Sequence, residues 1–75
     1  MHDDAIKDLD KEVRRLKRIA AEWAGQLHDL VEERLPAAYE ELPALSASTL
    51  DACRLWAQAQ QRLEAAQRAA SAAQP

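Results

Sequence analysis

Apolar residues in the first half of the chain recur at alternating intervals of three and four. The series is Ile6, Leu9, Val13, Leu16, Ala20, Trp23, Leu27 and Leu30. This spacing fills the a and d positions of four heptads and predicts one long amphipathic helix. The charged Arg34 stands on the next a position, and Pro36 disfavours helical geometry at the residue before it. We therefore predict a first helix over about residues 3–34.

A second series with the same spacing follows a connection predicted at about residues 35–43. Its members are Leu45, Thr49, Ala52, Trp56, Ala59, Leu63, Ala66 and Ala70, with Leu50, Cys53 and Leu55 widening the stripe. Pro43 suits the first turn of a helix, so we predict the second helix at about 44–72. Ser48 and Asp51 have the spacing of a capping box, which leaves a later start open.

The apolar content is too small for a self-standing pair of helices. Apolar residues make up 48% of the 75, but 17 of those 36 are alanine and none is phenylalanine. A short connection makes the helices antiparallel neighbours, and one such contact leaves part of each stripe in water. We expect an all-α, single-domain helical hairpin over residues 1–75. It should form a homodimer, as a four-helix bundle or an antiparallel coiled coil.

Composition excludes several classes of protein. One cysteine rules out a disulfide framework and a cysteine-based zinc finger, and we expect Cys53 to fill the core as a small hydrophobe. The net charge is −3, which does not favour nucleic acid as a partner. No basic start with an apolar run and no ~20-residue apolar stretch occurs, so we expect a soluble, cytoplasmic protein without membrane partners. No phosphate loop or hydrolase motif is present, which argues against an enzyme.

Two histidines are candidate metal ligands. His28 and Glu32 lie four residues apart and could supply two ligands to a divalent transition metal. A second copy or a partner protein would have to complete the coordination. His2 could bind a metal together with the terminal amine. A surface histidine that only titrates is the alternative in each case, and no cofactor is certain.

Other positions have both structural and functional interpretations. Trp23 and Trp56 are expected to anchor the core. A glycine costs about 1 kcal/mol relative to alanine in a helix, so we expect Gly25 to mark a close contact. Tyr39, Glu40 and Glu41 in the connection could contact another protein or cap the hairpin.

A basic stretch also has two interpretations. It comprises Lys11, Arg14, Arg15, Lys17 and Arg18. It is either a solvated helix with Asp10–Arg14 and Arg18–Glu22 ion pairs or a docking surface for RNA or an acidic partner. No aromatic residue interleaves with these bases, so a platform for stacking single strands is missing.

Several motifs resemble those of a known family. They are LHDLVE at residues 27–32, Leu35-Pro36, YEEL at 39–42, Thr49, and KEVRRL at 11–16. This pattern resembles the Rop-like proteins associated with nitrogen-fixation gene clusters, the NifX-associated proteins, over roughly residues 9–63. Leu50 departs from it, since the family tends to have tyrosine there.

The resemblance implies a hairpin that dimerises and an accessory role in nitrogen fixation. That role would be in nitrogenase metallocofactor assembly or its regulation, with nitrogenase or cofactor-assembly proteins as partners. It points to His28, and also to Asp29 and Glu32, as functional residues. With Tyr39, Glu40 and Glu41 in the connection, Asp29 is a predicted partner-binding residue. The alternatives are a metal carrier or sensor centred on His28, and an RNA-binding bundle that uses Lys11, Arg14, Arg15 and Arg18.

Overall fold

The protein folds into two long helices joined by a tight connection. The computed structural model describes the backbone of residues 2–73 and the side chains of residues 4–73. Helix α1 spans His2–Asp29 and continues into a π-helical segment, Leu30–Arg34. After a turn, a 3-10 helix spans Tyr39–Glu41 and helix α2 spans Leu42–Ala72. No strand occurs in residues 2–73, and the predicted all-α hairpin is confirmed.

The observed boundaries lie close to the predicted ones. Helix α2 begins at Leu42, two residues before the predicted start, and Pro43 lies in its first turn, where its missing N–H costs no hydrogen bond. The later start at Ser48 is wrong, because that residue already lies inside the helix. The hairpin is a slender rod of 61 × 14 × 14 Å.

The core of the hairpin is a single line of small and aliphatic side chains. The buried residues are Val13, Leu16, Leu30, Ala52, Ala59 and Leu63. All of them belong to the two predicted three-four series, and none of the eight positions in either series is exposed. Among the side chains of residues 4–73, only Leu30 and Ala59 are completely inaccessible to water. The periodicity therefore identifies the seam between the helices, while the thinness of the core leaves most apolar positions half-buried.

Trp23 and Trp56 are half-buried. Trp56 packs against the core cluster around Val13 and Ala59. Its indole N–H is buried and has no hydrogen-bond partner among the described residues. A buried donor without a partner costs free energy, so Trp56 stabilises the hairpin less than its size alone indicates.

Three expectations about packing are wrong. Cys53 is exposed rather than part of the core, and Leu50 and Leu55, which widen the stripe in sequence, are 50% and 44% exposed. In a two-helix seam only the a and d positions face the partner helix, so residues beside the stripe remain in solvent. The expected close contact at Gly25 is also absent, because a methyl group there would meet nothing within 4 Å.

No helix in the described part of the chain is both long enough and apolar enough to cross a membrane.

Candidate functional site

The connection end, which we define as residues 28–42, is a compact structure that holds most of the predicted site residues. The N–H of Leu35 donates to the carbonyl of Leu30 at 3.0 Å and ends the π-helical segment. The N–H of Ala38 then donates to the carbonyl of Arg34 at 2.9 Å. Leu30 is completely buried and anchors this end of the rod. The Leu35–Pro36 peptide bond is cis.

A charged contact closes the connection from outside. The Arg34 guanidinium lies 3.4 Å from the Glu41 carboxylate, so it joins the π-helical segment to the 3-10 helix. The apolar spacing marks Arg34 only as the end of the stripe and does not predict its ion pair with Glu41. The opposite charges on the two sides of the Leu35-Pro36 turn were the signal that could have found it.

The predicted contact residues of the connection face solvent. Tyr39 is 65% exposed, and Asp29, Glu40 and Glu41 are exposed with it. Tyr39 therefore does not cap the apolar seam, and its ring presents an unusually large accessible surface for an aromatic residue. The structure brings these four residues to one end of the molecule.

His28 lies between two carboxylates on the same end. Its Nε2 atom is 3.4 Å from Glu32 Oε1, one helical turn on, and its Nδ1 atom is 3.5 Å from Asp29 Oδ1. The His28 side chain is 65% exposed and that of Glu32 is 64% exposed. The predicted His28–Glu32 pair is thus within reach of a shared ligand, with Asp29 beside it.

The metal hypothesis needs ligands from outside a single chain. Within the described residues, no group of three histidine, cysteine or acidic side chains is arranged to hold a metal ion. The other candidate, His2, lies outside the described side chains. A metal site in the described part of the chain would therefore use His28 and Glu32, with further ligands from a second copy or a partner.

The basic stretch of α1 is partly neutralised by its own helix. Arg14 pairs with Asp10 at 3.0 Å, as predicted, and Arg15 pairs with Glu12 at 2.6 Å. The predicted Arg18–Glu22 ion pair is not among the salt bridges of residues 4–73. The Arg15 hydrogen bonds lower the pKa of Glu12 below its ordinary value and raise that of Arg15. Two of the four arginine and lysine side chains of the RNA hypothesis are therefore engaged with carboxylates.

Comparison of the sequence with models of known protein families identifies the family of this chain. The family model described as Rop-like matches residues 4–68, which covers both helices and the connection. The chain belongs to the Rop-like family. The predicted resemblance is confirmed at this level, and the hairpin is the Rop-like fold. Comparison with curated proteins and with solved structures gives no significant match.

Proposed function

We propose that this Rop-like protein is a homodimeric, non-enzymatic accessory protein of nitrogen fixation. It supports nitrogenase metallocofactor assembly or its regulation. Its connection end contacts a nitrogenase component or a cofactor-assembly protein.

One observation carries the proposal. The motifs that resemble the nitrogen-fixation proteins, LHDLVE and YEEL, are separated by the turn in sequence and meet at the connection end. Their three leucines, Leu27, Leu30 and Leu42, are buried or half-buried and serve the hairpin, whereas Val31 is exposed. Their polar members and Tyr39 are exposed, and the hairpin does not need them for its core. Binding residues are often found on connections, and exposed tyrosine is enriched in contact surfaces, whose rims are polar.

The charge of the connection end indicates the kind of surface it fits. Residues 28–42 contain five carboxylates and one arginine, whereas the rest of the chain has eight carboxylates and nine basic side chains. The excess negative charge of the molecule is therefore concentrated at this end. A basic patch on the partner would match it and would accelerate encounter at low salt.

A capture experiment tests the proposal. The protein is tagged at its C-terminus and produced in a nitrogen-fixing host grown with and without fixed nitrogen, and co-purifying proteins are identified by mass spectrometry. We expect a nitrogenase component or a cofactor-assembly protein in the fixing culture alone. The same captured proteins in both cultures, or none, would contradict the proposal.

Metal binding at His28 is the second candidate, and the short contacts of His28 with Glu32 and Asp29 support it. Titration of tag-free protein with Zn²⁺, Ni²⁺ or Co²⁺ should give a fixed ratio of metal to chain that His28→Ala abolishes. Asp8→Ala, at an exposed acidic position on α1, is the control. Binding that survives His28→Ala and disappears when Met1 and His2 are deleted would identify an adventitious terminal site instead.

A further inference from the structure

Two large apolar side chains are exposed at the connection end. Val31, in the π-helical segment, is 54% exposed, and Tyr39, on the other side of the turn, is 65% exposed. Among the side chains of residues 4–73, four large hydrophobic ones are exposed, and the connection end holds two of them. Neither belongs to the three-four series that packs the seam, so the hairpin leaves both available to another molecule.

We propose that Val31 and Tyr39 are the apolar anchors of a docking surface for a basic segment of the partner protein. The carboxylates of Glu33 and Glu40 receive the arginine side chains of that segment. The inference rests on the proposed function, because it takes the connection end as the contact surface. It adds the residues that make the contact and the chemistry of the segment that they bind.

The charge around the two anchors determines what can bind. Residues 28–42 have five carboxylates and one arginine, a net charge of −4 with the histidine neutral. This charge repels a nucleic acid or an anionic membrane surface, because both are themselves negative. It attracts a basic protein surface. Charge complementarity therefore selects a protein segment that carries basic side chains.

The chain itself occupies three of the five carboxylates. The Arg34 guanidinium lies 3.4 Å from the Glu41 carboxylate. The imidazole of His28 lies 3.4 Å from the Glu32 carboxylate and 3.5 Å from that of Asp29. A basic side chain of a partner would have to compete with these contacts.

The other two carboxylates are free to pair with a partner. Among residues 4–73, no salt bridge or side-chain hydrogen bond involves Glu33 or Glu40, and both are exposed. Glu33 lies two residues after Val31, and Glu40 directly follows Tyr39. Each apolar anchor therefore has an unpaired carboxylate close to it in sequence.

Arginine fits this surface better than lysine. Its planar guanidinium stacks on an aromatic ring and donates hydrogen bonds to carboxylates. Tyr39 and Glu40 offer these two kinds of group at neighbouring positions. Val31 offers neither, and its exposed surface is covered favourably only by an apolar side chain. A segment that carries both arginine and apolar side chains therefore matches the docking surface.

The size of the connection end suits a short segment. The rod is 14 Å across, and about ten helical residues span the same distance at 1.5 Å per residue. One amphipathic helix of the partner, laid across the end of the rod, therefore reaches both sides of the turn.

Two short blocked peptides of equal length and charge test the chemistry. One alternates leucine and arginine, and the other alternates serine and arginine. Isothermal titration calorimetry should give the leucine–arginine peptide at least about tenfold higher affinity for the wild-type chain. Equal affinities would overturn the role of the apolar anchors, and the absence of binding by both peptides at low salt would overturn the docking surface.

Variants test the location. Tyr39→Ala and Glu33→Gln/Glu40→Gln should each weaken binding of the leucine–arginine peptide about tenfold. The matched control, Asp8→Asn/Glu64→Gln, removes two exposed carboxylates far from the connection and should weaken binding by less than about threefold. All five positions are exposed, so circular dichroism should show intact helices. A control that weakens binding as much as the connection variants would overturn the location.

The docking surface and the accessory role fail separately. Peptide binding is measured with purified protein, whereas the accessory role is tested by capture in nitrogen-fixing cells. Capture of a nitrogenase-related protein without peptide binding would overturn the docking chemistry alone. Peptide binding in the expected order, without that capture, would support the docking surface and contradict the proposed function.

Discussion

The hydroxyl of Thr49, in α2, lies 3.4 Å from the backbone carbonyl of Trp23, in α1, across the seam of the hairpin. The same hydroxyl donates a hydrogen bond of 2.7 Å to the carbonyl of Leu45 in its own helix. Among the described residues, no other hydrogen bond joins α1 to α2. Thr49 is also the one hydroxyl-bearing residue of the two stripes. Its contact with the Trp23 carbonyl therefore marks where α2 meets α1 near the connection end.

Replacing Thr49 by valine should destabilise the hairpin. Valine keeps the branched shape and removes the hydroxyl, so the free energy of unfolding should fall by about 1 kcal/mol. Urea denaturation measures it at one fixed chain concentration, because the stability of the proposed dimer would depend on concentration. Ser46→Ala, at an exposed position on the same helix, should change it by less than about 0.5 kcal/mol. An unchanged Thr49→Val variant would contradict the role of the hydroxyl.

Two leucines of α2 should respond very differently to truncation. Leu63 is 5% exposed and belongs to the core cluster, whereas Leu55 is 44% exposed. Leu63→Ala should lower the free energy of unfolding by about 2–5 kcal/mol, because it leaves a cavity. Leu55→Ala should lower it by less than about 1 kcal/mol. Equal losses in urea denaturation would show that the surface of α2 around Leu55 is buried in solution.

Gly25→Ala should stabilise the protein. Gly25 lies inside α1 with a negative φ angle, and an added methyl group meets nothing within 4 Å. Alanine restricts the unfolded chain and favours the helix, so we expect a gain of about 0.5–1 kcal/mol. The thermal midpoint should rise accordingly. A loss of stability would indicate that a partner or a second copy approaches the backbone at this position.

The seam of this fold is predictable from sequence because it depends on a single period. Every buried residue, from Val13 to Leu63, lies on a three-four series that can be identified by eye. The π-helical segment at Leu30–Arg34 is different. Its last hydrogen bond, from the N–H of Leu35 to the carbonyl of Leu30, spans five residues instead of four, and no apolar spacing encodes that choice.

The site is predictable in part. The i,i+4 spacing of His28 and Glu32 places them together, as helical geometry requires. Residues beside the stripe are harder to assign, because their burial depends on whether a further surface covers them. Cys53 illustrates this: the helical wheel places it next to the seam, but one antiparallel neighbour is too narrow to cover it.

The Glu12–Arg15 pair should make a small, pH-dependent contribution to stability. Two hydrogen bonds from Arg15, at 2.6 and 3.1 Å, hold the pKa of Glu12 below its ordinary value of 4.5. A carboxylate with a lowered pKa in the folded state stabilises it above the unfolded pKa. This contribution disappears as the pH falls through the lowered value.

An NMR titration of the Glu12 carboxyl group measures this pKa directly. We expect a value below 4.5 in the wild type and a shift toward 4.5 in Arg15→Gln. High salt should weaken the difference, since the pair is exposed. A wild-type value at or above 4.5 would mean that the pair does not form in solution.

The most direct test of the central claim is the amount of partner captured by variants of the connection end. In nitrogen-fixing cells, the Tyr39→Ala/Glu40→Gln/Glu41→Gln variant should lose most of the nitrogenase-related protein that the wild type retains. The matched control, Glu64→Gln/Gln67→Ala, changes exposed residues at the distant end of α2 and should capture as much as the wild type. Equal capture by both variants, or loss with the control alone, would contradict the claim that the connection end is the contact surface.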